Sequence, residues 1–471
     1  MASGIMNNRH GTGVVDHAEA VAALSARLRG ALVRPADAGY DAARAIYNAM
    51  HDRRRPGLIV QAADVADVMA TVDFAREHGL LLAVRGGGHN VAGFATCDDG
   101  IVLDLKRLKG IRVDPERKTV RAEGGCTWGD LDHATHGFGM AVPGGVVSTT
   151  GIAGLTLGGG MGHLSRRGGL SCDNLVSADV VTADGRFLTC DADRHPDLFW
   201  ALRGGGGNFG VVTAFEYKLH SVAEVLGGPT FYQPDPGVFR GYEAMLDRAP
   251  DDLQAIFAFT LAPAVPFVPD NWHGKPVMAV VACWSGDSAE DALTAARLSG
   301  LGTVVGQAMW RMPYPEINTL FDAALPHGLQ HYWKANVVHA VPDAALAAHI
   351  EHGAKVPHPA SGTFLFPIDR ACHRLGAADT AFPHRDARYS VIFSGSWPDR
   401  ADNDANIAWV RNAHAALRPW SDEGGYGNFM SDTEDGQVRA NYGPNHARLQ
   451  AVKRQYDPDN LFRLNQNILP G

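Results

Sequence analysis

The sequence predicts an α+β protein built in two parts, and three observations lead there. The chain has 471 residues, 45% of them hydrophobic and 20% charged, enough apolar mass for more than one core. Of its 54 glycines, 27 lie between Gly86 and Gly210, about a quarter of the length. After about residue 222 the glycines thin out, and helices alternate with short apolar strands in the manner of a second α+β unit.

Taken in order, the first firm element is a helix over 64–79. Asp64 can cap it, Val65, Val68, Met69 and Val72 recur at helical spacing, and Gly79 stands where an αL terminator belongs. An apolar strand over 80–84 runs straight into Arg85-Gly86-Gly87-Gly88-His89, so this loop sits at the carboxyl end of a buried strand. The 101–105 run and the segments flanking Asp114-Pro115-Glu116-Arg117 read as strands, the latter two joined by a turn. Thr127 and Asp130 have capping-box spacing and open a helix that closes near Gly137. Asp184-Gly185 joins two strands as a hairpin. A helix over 196–202 leads to the Gly204–Gly207 run, Gly210 and a strand over 211–219. In the second part, helices over 289–298 and 343–352 stand between strands such as 278–284 and 389–393. The last 50 residues return to glycine, asparagine and aromatics, with a helix over 445–456.

Several function classes fall away on composition. With 42 basic against 51 acidic side chains, net charge −9, and no basic run longer than Arg53-Arg54-Arg55, no nucleic-acid partner is expected. The longest uninterrupted hydrophobic run, 277–284, is too short to cross a bilayer, and residues 1–10 lack a signal-type apolar stretch. No membrane association and a cytoplasmic location are therefore expected. The six cysteines form no CxxC pair, which fits a reducing compartment. His133/His136 and His349/His352 lack the HExxH glutamate and read as solvated helix faces, so no metal is expected.

Gly205 to Gly210 matches GxGxxG, but it follows a helix and opens a strand, the reverse of a nicotinamide fingerprint. Neither GxxxxGK[ST] nor GxSxG occurs. What remains is a set of glycine-rich loops: 85–90, 142–162 and 168–175. Successive bare amides in such loops hold a pyrophosphate without needing lysine. His89 and Cys172, at the ends of two of them, are expected near one ligand.

At these residues the chain resembles the FAD-linked oxidases of the vanillyl-alcohol-oxidase superfold, in the berberine-bridge-enzyme-like group. The resemblance covers nearly the whole chain: Tyr40 to Asn48, Val84 to Asn90, Pro143-Gly144-Gly145, Gly158-Gly159-Gly160, Gly169 to Leu175, Asp197 to Gly204, Tyr426-Gly427-Asn428, Tyr442 to Asn445, Tyr456-Asp457-Pro458 and Asn465 to Ile468. It implies an FAD-binding part of the PCMH type over 1–222, rejoined by 416–471, and a substrate part over 223–415 with an antiparallel sheet backed by helices.

The resemblance further implies bicovalent FAD, with His89 on the flavin 8α-methyl carbon and Cys172 on the sixth ring carbon. Members without the cysteine are tethered through histidine only. Around the cofactor it places Arg85, Gly86, Gly87, Gly88, Asn90, Pro143, Gly144, Gly145, Ser148, Gly151, Gly154, Gly158, Gly159, Gly160, Asn174, Gly207, Gly210, Val211, Val212, Asn428 and Asn465. Tyr426 takes the general-base role, on a strand that puts Tyr426 and Asn428 on one face.

The implied reaction is oxidation of an alcohol in a sugar or natural product by hydride transfer to FAD, with O2 or another electron acceptor and H2O2 as the oxygen product. The alternatives are a histidine-tethered amine or alkaloid oxidase, and a dehydrogenase reacting poorly with O2, since Leu175 falls where plant members gate oxygen. Trp284, Trp310, Tyr332, Trp333, Tyr389, Trp397, Lys334 and Arg385 are candidate walls of the substrate site. A monomer or homodimer is expected.

Overall fold

Three large sheets, beside two two-stranded ones, carry the described residues in the computed structural model, which describes residues 6–7, 14–15, 18–432 and 436–471. The first has four strands in the order Ala31–Val33, Leu58–Gln61, Ile101–Asp104, Leu82–Arg85; its last three are parallel. The helix Val65–Glu77 makes the crossover. The Asp64 carboxylate accepts the Asp67 N–H at 3.1 Å at its start, and Gly79 takes φ +63° just past its end. Parallel strands buried on both faces explain the unbroken apolar runs.

The second sheet is antiparallel, in the order Phe187–Cys190, Leu175–Val181, Val211–Lys218, Thr119–Glu123, Ile111–Asp114. The Asp184-Gly185 turn closes its hairpin, with Val181 opposite Phe187. The Thr127/Asp130 capping box is present and starts the helix Trp128–His136. The Pro196–Leu202 helix and the Val211–Lys218 strand also stand where the pattern puts them.

The third sheet has eight antiparallel strands between Glu224 and Trp397. The helices Pro236–Arg248, Asp343–Gly353 and Asn403–Leu417 contribute to one apolar cluster with its outer face. His349 belongs to that layer and is not solvated. It is buried and stacks parallel on Phe259, with ring centroids 5.1 Å apart. Its ring is flat enough to pack like a phenyl group once neutral, and burial holds its pKa down at about 3.

Buried cations tie these layers together. Arg166, fully buried in the glycine-rich segment, pairs with Asp369 at 2.7 Å and donates to the Leu246 and Leu253 carbonyls, joining that segment to the large sheet. Lys453, on the helix His446–Tyr456, pairs with Asp457 at 2.6 Å and donates to the carbonyls of Asn208 and Phe462. The C-terminal return is thereby fixed to the Gly204–Gly210 loop. A pair of this kind is nearly neutral in net energy, but losing one partner costs about 3–5 kcal/mol.

Asp132 is buried without a cation. Its carboxylate accepts from the Asn318 amide at 2.7 Å, and burial pushes it up to about 7. A folded-state pKa above the unfolded value means that stability present below about pH 4 is lost as pH rises toward 7. Asp132→Asn should therefore flatten the fall in thermal midpoint between about pH 4 and 7, the full effect being on the order of 4 kcal/mol at most. Identical pH slopes for parent and variant would contradict this.

Candidate functional site

The glycine-rich stretches converge on a cavity of about 340 Å³. Gly86, Gly87, Gly88, His89 and Asn90 line it from the loop after Leu82–Arg85. Gly145, Gly151, Gly154 and Gly158 come from the long small-residue segment, and Gly207, Gly210 and Val212 from the turn into Val211–Lys218. Tyr426, Asn428 and Asn465 enter from the C-terminal return.

Glycine is required here for two different reasons. A Cβ on Gly87 would lie 2.3 Å from the Gly151 nitrogen, and one on Gly151 would lie 2.4 Å from the Gly87 nitrogen, so the two loops touch backbone to backbone. At Gly154 and Gly207, by contrast, a Cβ would meet nothing within 4 Å and would project into open space at the cavity wall. The first pair closes the cradle; the second keeps it wide enough for a ligand. The Asn465 Oδ1 is buried without a partner on the same wall, an acceptor left for a ligand donor.

His89 is held by two rings and two hydroxyls. Tyr47 stacks on it with centroids 3.9 Å apart, and His331 stacks on the far face of Tyr47 at 4.3 Å. His327 meets the His89 ring edge-on at 5.3 Å. Thr149 Oγ1 lies 2.8 Å from Nε2 and Thr150 Oγ1 3.3 Å from Nδ1. Burial first, then the neighbouring His327, His331 and Lys106, push its pKa well down, so the imidazole is neutral and keeps a ring lone pair. Asn48 locks this assembly: its amide donates to the Val91 and His331 carbonyls, both at 2.8 Å, and its Oδ1 accepts the His331 N–H at 2.9 Å.

Tyr426 lines the cavity but does not lie on a strand. It precedes a single 3-10 turn, Gly427–Phe429, closed by the Phe429 N–H to the Tyr426 carbonyl at 2.9 Å. The edge strand Gln330–Val338 takes the Asp422 and Ser431 N–H groups on its Val337 and Trp333 carbonyls, both at 2.9 Å, and between them the chain at Tyr426 satisfies itself locally. Tyr426 and Asn428 still meet, because the Asn428 amide donates to the phenol oxygen at 2.7 Å. The Gly160 N–H donates to the same oxygen at 2.9 Å. These two donors pull the phenol's pKa down, but burial outweighs them and pushes it up.

The structure does not bring nine of the expected cofactor residues to the cavity wall. Arg85 pairs with Asp104 at 3.1 Å and donates to the carbonyls of Ala43 and Ala45. The Pro143 carbonyl takes the Ser171 hydroxyl, and Gly144 lies flat on the Trp128 ring. Ser148 binds the Asp322 carboxylate. Gly159 and Gly160 sit behind Tyr426, and Val211 is in the core. Asn174 caps the Gly168 and Leu170 carbonyls. Cys172 is fully buried, its sulfur against Asp173 at 3.5 Å and Arg385 at 3.9 Å, and burial raises its thiol pKa well above the ordinary value.

Of the expected walls, only Trp333 faces the cavity. Trp284, Tyr389 and Trp397 are core, Trp310 is exposed, Tyr332 and Lys334 bind Asp432, and Arg385 binds Asp173. The actual wall is the inner face of the eight-stranded sheet: Ile256, Phe364, Phe366, Ile392 and Ser394, with Phe364 opposite Ile392 and Trp333 opposite Ser394. The two-residue alternation of Phe364/Phe366 and Ile392/Ser394 was the available signal. No Asp, Glu, Lys or Arg lines the cavity among the described residues.

The FAD binding domain family matches residues 56–191, and the berberine and berberine-like family matches residues 425–469. The (R)-6-hydroxynicotine oxidase of Paenarthrobacter nicotinovorans is 34% identical over 454 residues, 94% of this chain and 97% of that protein. An FAD-linked oxidoreductase of Dictyostelium discoideum is 33% identical over 438 residues, 88% of this chain and 89% of that one. The crystal structure of 6-hydroxy-D-nicotine oxidase from Arthrobacter nicotinovorans has a TM-score of 0.83 at 31% identity, covering 94% of this chain and 98% of that chain. Berberine bridge enzyme from Eschscholzia californica shares the fold at 21% identity, with a TM-score of 0.83 over 96% of this chain and 99% of that one. With glycine loops, histidine and C-terminal return gathered round one cavity, the chain belongs to the FAD-linked oxidoreductases of the vanillyl-alcohol-oxidase fold, in the group of the berberine-bridge-like enzymes and 6-hydroxynicotine oxidase.

Proposed function

We infer that this FAD-dependent oxidoreductase oxidises a neutral, ring-bearing small molecule, with its flavin tethered through His89 alone. The observation that carries this reading is the absence, among the described residues, of Asp, Glu, Lys and Arg from the cavity lining, whose far wall is the aromatic and aliphatic sheet face. Such a wall suits a flat ring, and it offers no carboxylate to a protonated amine. A saccharide carries hydroxyls on every side, and an apolar wall would leave many of them unpaired.

The flavin, when bound, supplies a two-electron sink that accepts hydride from substrate and passes the electrons to O2, as H2O2, or to another acceptor. The chain's own residues set the conditions. The glycine faces at Gly154 and Gly207 admit the cofactor, and Asn465 Oδ1 awaits a donor from it. His89, neutral and fixed by Tyr47, offers a ring nitrogen for the link. Cys172 takes no part in this reading, because it is fully buried beside Asp173, packed with Tyr426 and Phe382 and not itself on the cavity lining. Leu175 starts the Leu175–Val181 strand opposite Tyr217 and does not line the cavity.

Tyr426 is assigned a donor role. Both bonds it receives use the phenol oxygen as acceptor, which leaves its own proton for a group in the cavity, and burial keeps that proton in place at neutral pH. An amine taken up as free base then loses hydride from the adjacent carbon without first surrendering a proton. An alcohol substrate must pass its proton to another acceptor.

Three outcomes are expected. In an anaerobic panel, neutral aromatic alcohols and cyclic amines should bleach the flavin while oligosaccharides of similar size do not, and amine rates should climb with the free-base fraction. Faster reduction by an oligosaccharide would sink the reading. After acid precipitation, His89→Ala should leave no flavin in the pellet, whereas Cys172→Ala should match the parent; a changed spectrum in Cys172→Ala would restore the second link. Tyr426→Phe should slow flavin reduction roughly 10- to 100-fold, the worth of one donated hydrogen bond, with no change of pH profile between about pH 6 and 9. A basic limb present in the parent and missing from Tyr426→Phe would make the tyrosine the proton acceptor instead.

A further inference from the structure

The two hydroxyls on the His89 ring are not equivalent. Thr149 is exposed and its Oγ1 sits at 2.8 Å from Nε2, whereas Thr150 lines the cavity and its Oγ1 is 3.3 Å from Nδ1. The Nε2 edge of the ring thus points toward solvent and the Nδ1 edge toward the cavity. Tyr47 stacked on one face, with His327 edge-on, prevents the ring from turning over to exchange the two.

We propose that Thr149 is a positioning residue that fixes the His89 tautomer, accepting the Nε2–H so that the Nδ1 lone pair faces the cavity and becomes the atom that bonds the flavin. This rests on the reading that His89 carries the cofactor. A neutral imidazole has one N–H and one lone pair, and which nitrogen holds which is decided by the partner of the other. Exposure of Thr149 adds a second function, an exit for the Nε2 proton once Nδ1 has reacted.

The attachment balances as follows. One C–H bond of the flavin ring methyl group breaks and a C–Nδ1 bond forms. The methyl proton and the Nε2 proton match the two protons taken up by the ring system, which is reduced by the two electrons of the broken bond. O2 then removes two electrons and two protons as H2O2, leaving oxidised, covalently bound flavin.

The test compares wild type, Thr149→Val and Thr149→Ser, each incubated with FAD, by the flavin fluorescence that stays with acid-denatured protein. Thr149→Val should attach flavin roughly tenfold or more slowly, while still binding FAD reversibly before denaturation. Thr149→Ser, which keeps the hydroxyl, should recover the parent rate. Attachment by Thr149→Val at the parent rate would overturn the proposal. A second measurement needs no variant: the flavin-bearing peptide released from wild type by proteolysis should show the link at Nδ1 in its imidazole NMR signals, and a link at Nε2 would also overturn it. Absence of flavin from the denatured wild type would remove the His89 link itself, a failure distinct from that of Thr149.

Discussion

Two stretches of backbone, at Gly87 and Gly151, lie closer together than any side chain allows, and the rest of the site depends on that approach. One belongs to the loop leaving a parallel strand, the other to a segment too rich in small residues to form a core of its own. Their contact sets His89 against Thr149 and Thr150 and turns the open faces of Gly154 and Gly207 toward one space. A methyl group at either contact point would have to push the two main chains apart, and main chain yields far less readily than a side-chain tip.

The buried cations are the complement of that contact. Arg85, Arg166, Arg385 and Lys453 each pair with an aspartate, and all four also hold backbone carbonyls of other segments. All four charges are spent on architecture around the cavity, and none lines it. A protein with 93 charged side chains by composition, 42 basic and 51 acidic, so keeps, among the described residues, a cavity lining without Asp, Glu, Lys or Arg next to this backbone contact. Their pairing also explains why Arg85, which stands in a motif, and Arg385, expected as a wall of the substrate site, are poor guides to ligand contact.

Local signals in the sequence were readable. Asp64, the Thr127/Asp130 box, Gly79 and Asp184-Gly185 name the ends of helices and a hairpin because caps and turns are decided within a few residues. The glycine loops and His89 were legible for the same reason. Three things were not. Tyr426 alternates with Asn428 as a strand would, yet the strand beside it, Gln330–Val338, bonds Asp422 and Ser431 on either side, and at Tyr426 the 3-10 turn wins. Cys172 sits in a conspicuous motif, but its direction depends on Asp173 and Arg385, the latter 213 residues away. The sheet face built from Ile256, Phe364, Phe366 and Ile392 comes from strand pairings that no short window of sequence displays.

The Asn48 clasp and the C-terminal return carry a consequence for timing. Asn48 is satisfied only when His331 is in place, 283 residues later, and the Gly205 and Asn208 turn is closed by Tyr442, Lys453 and the Gln466 carbonyl. A nascent chain that has exposed its glycine loops therefore has neither the far wall of the cavity nor the partner that locks the histidine. Since closure of such long loops is slow, the cradle is complete only once the segment carrying Tyr442, Lys453 and Gln466 has docked. The wall that meets the cofactor is therefore built from both ends of the chain's fold, and whatever loosens the Tyr442–Gln466 segment loosens the Gly205–Asn208 turn with it.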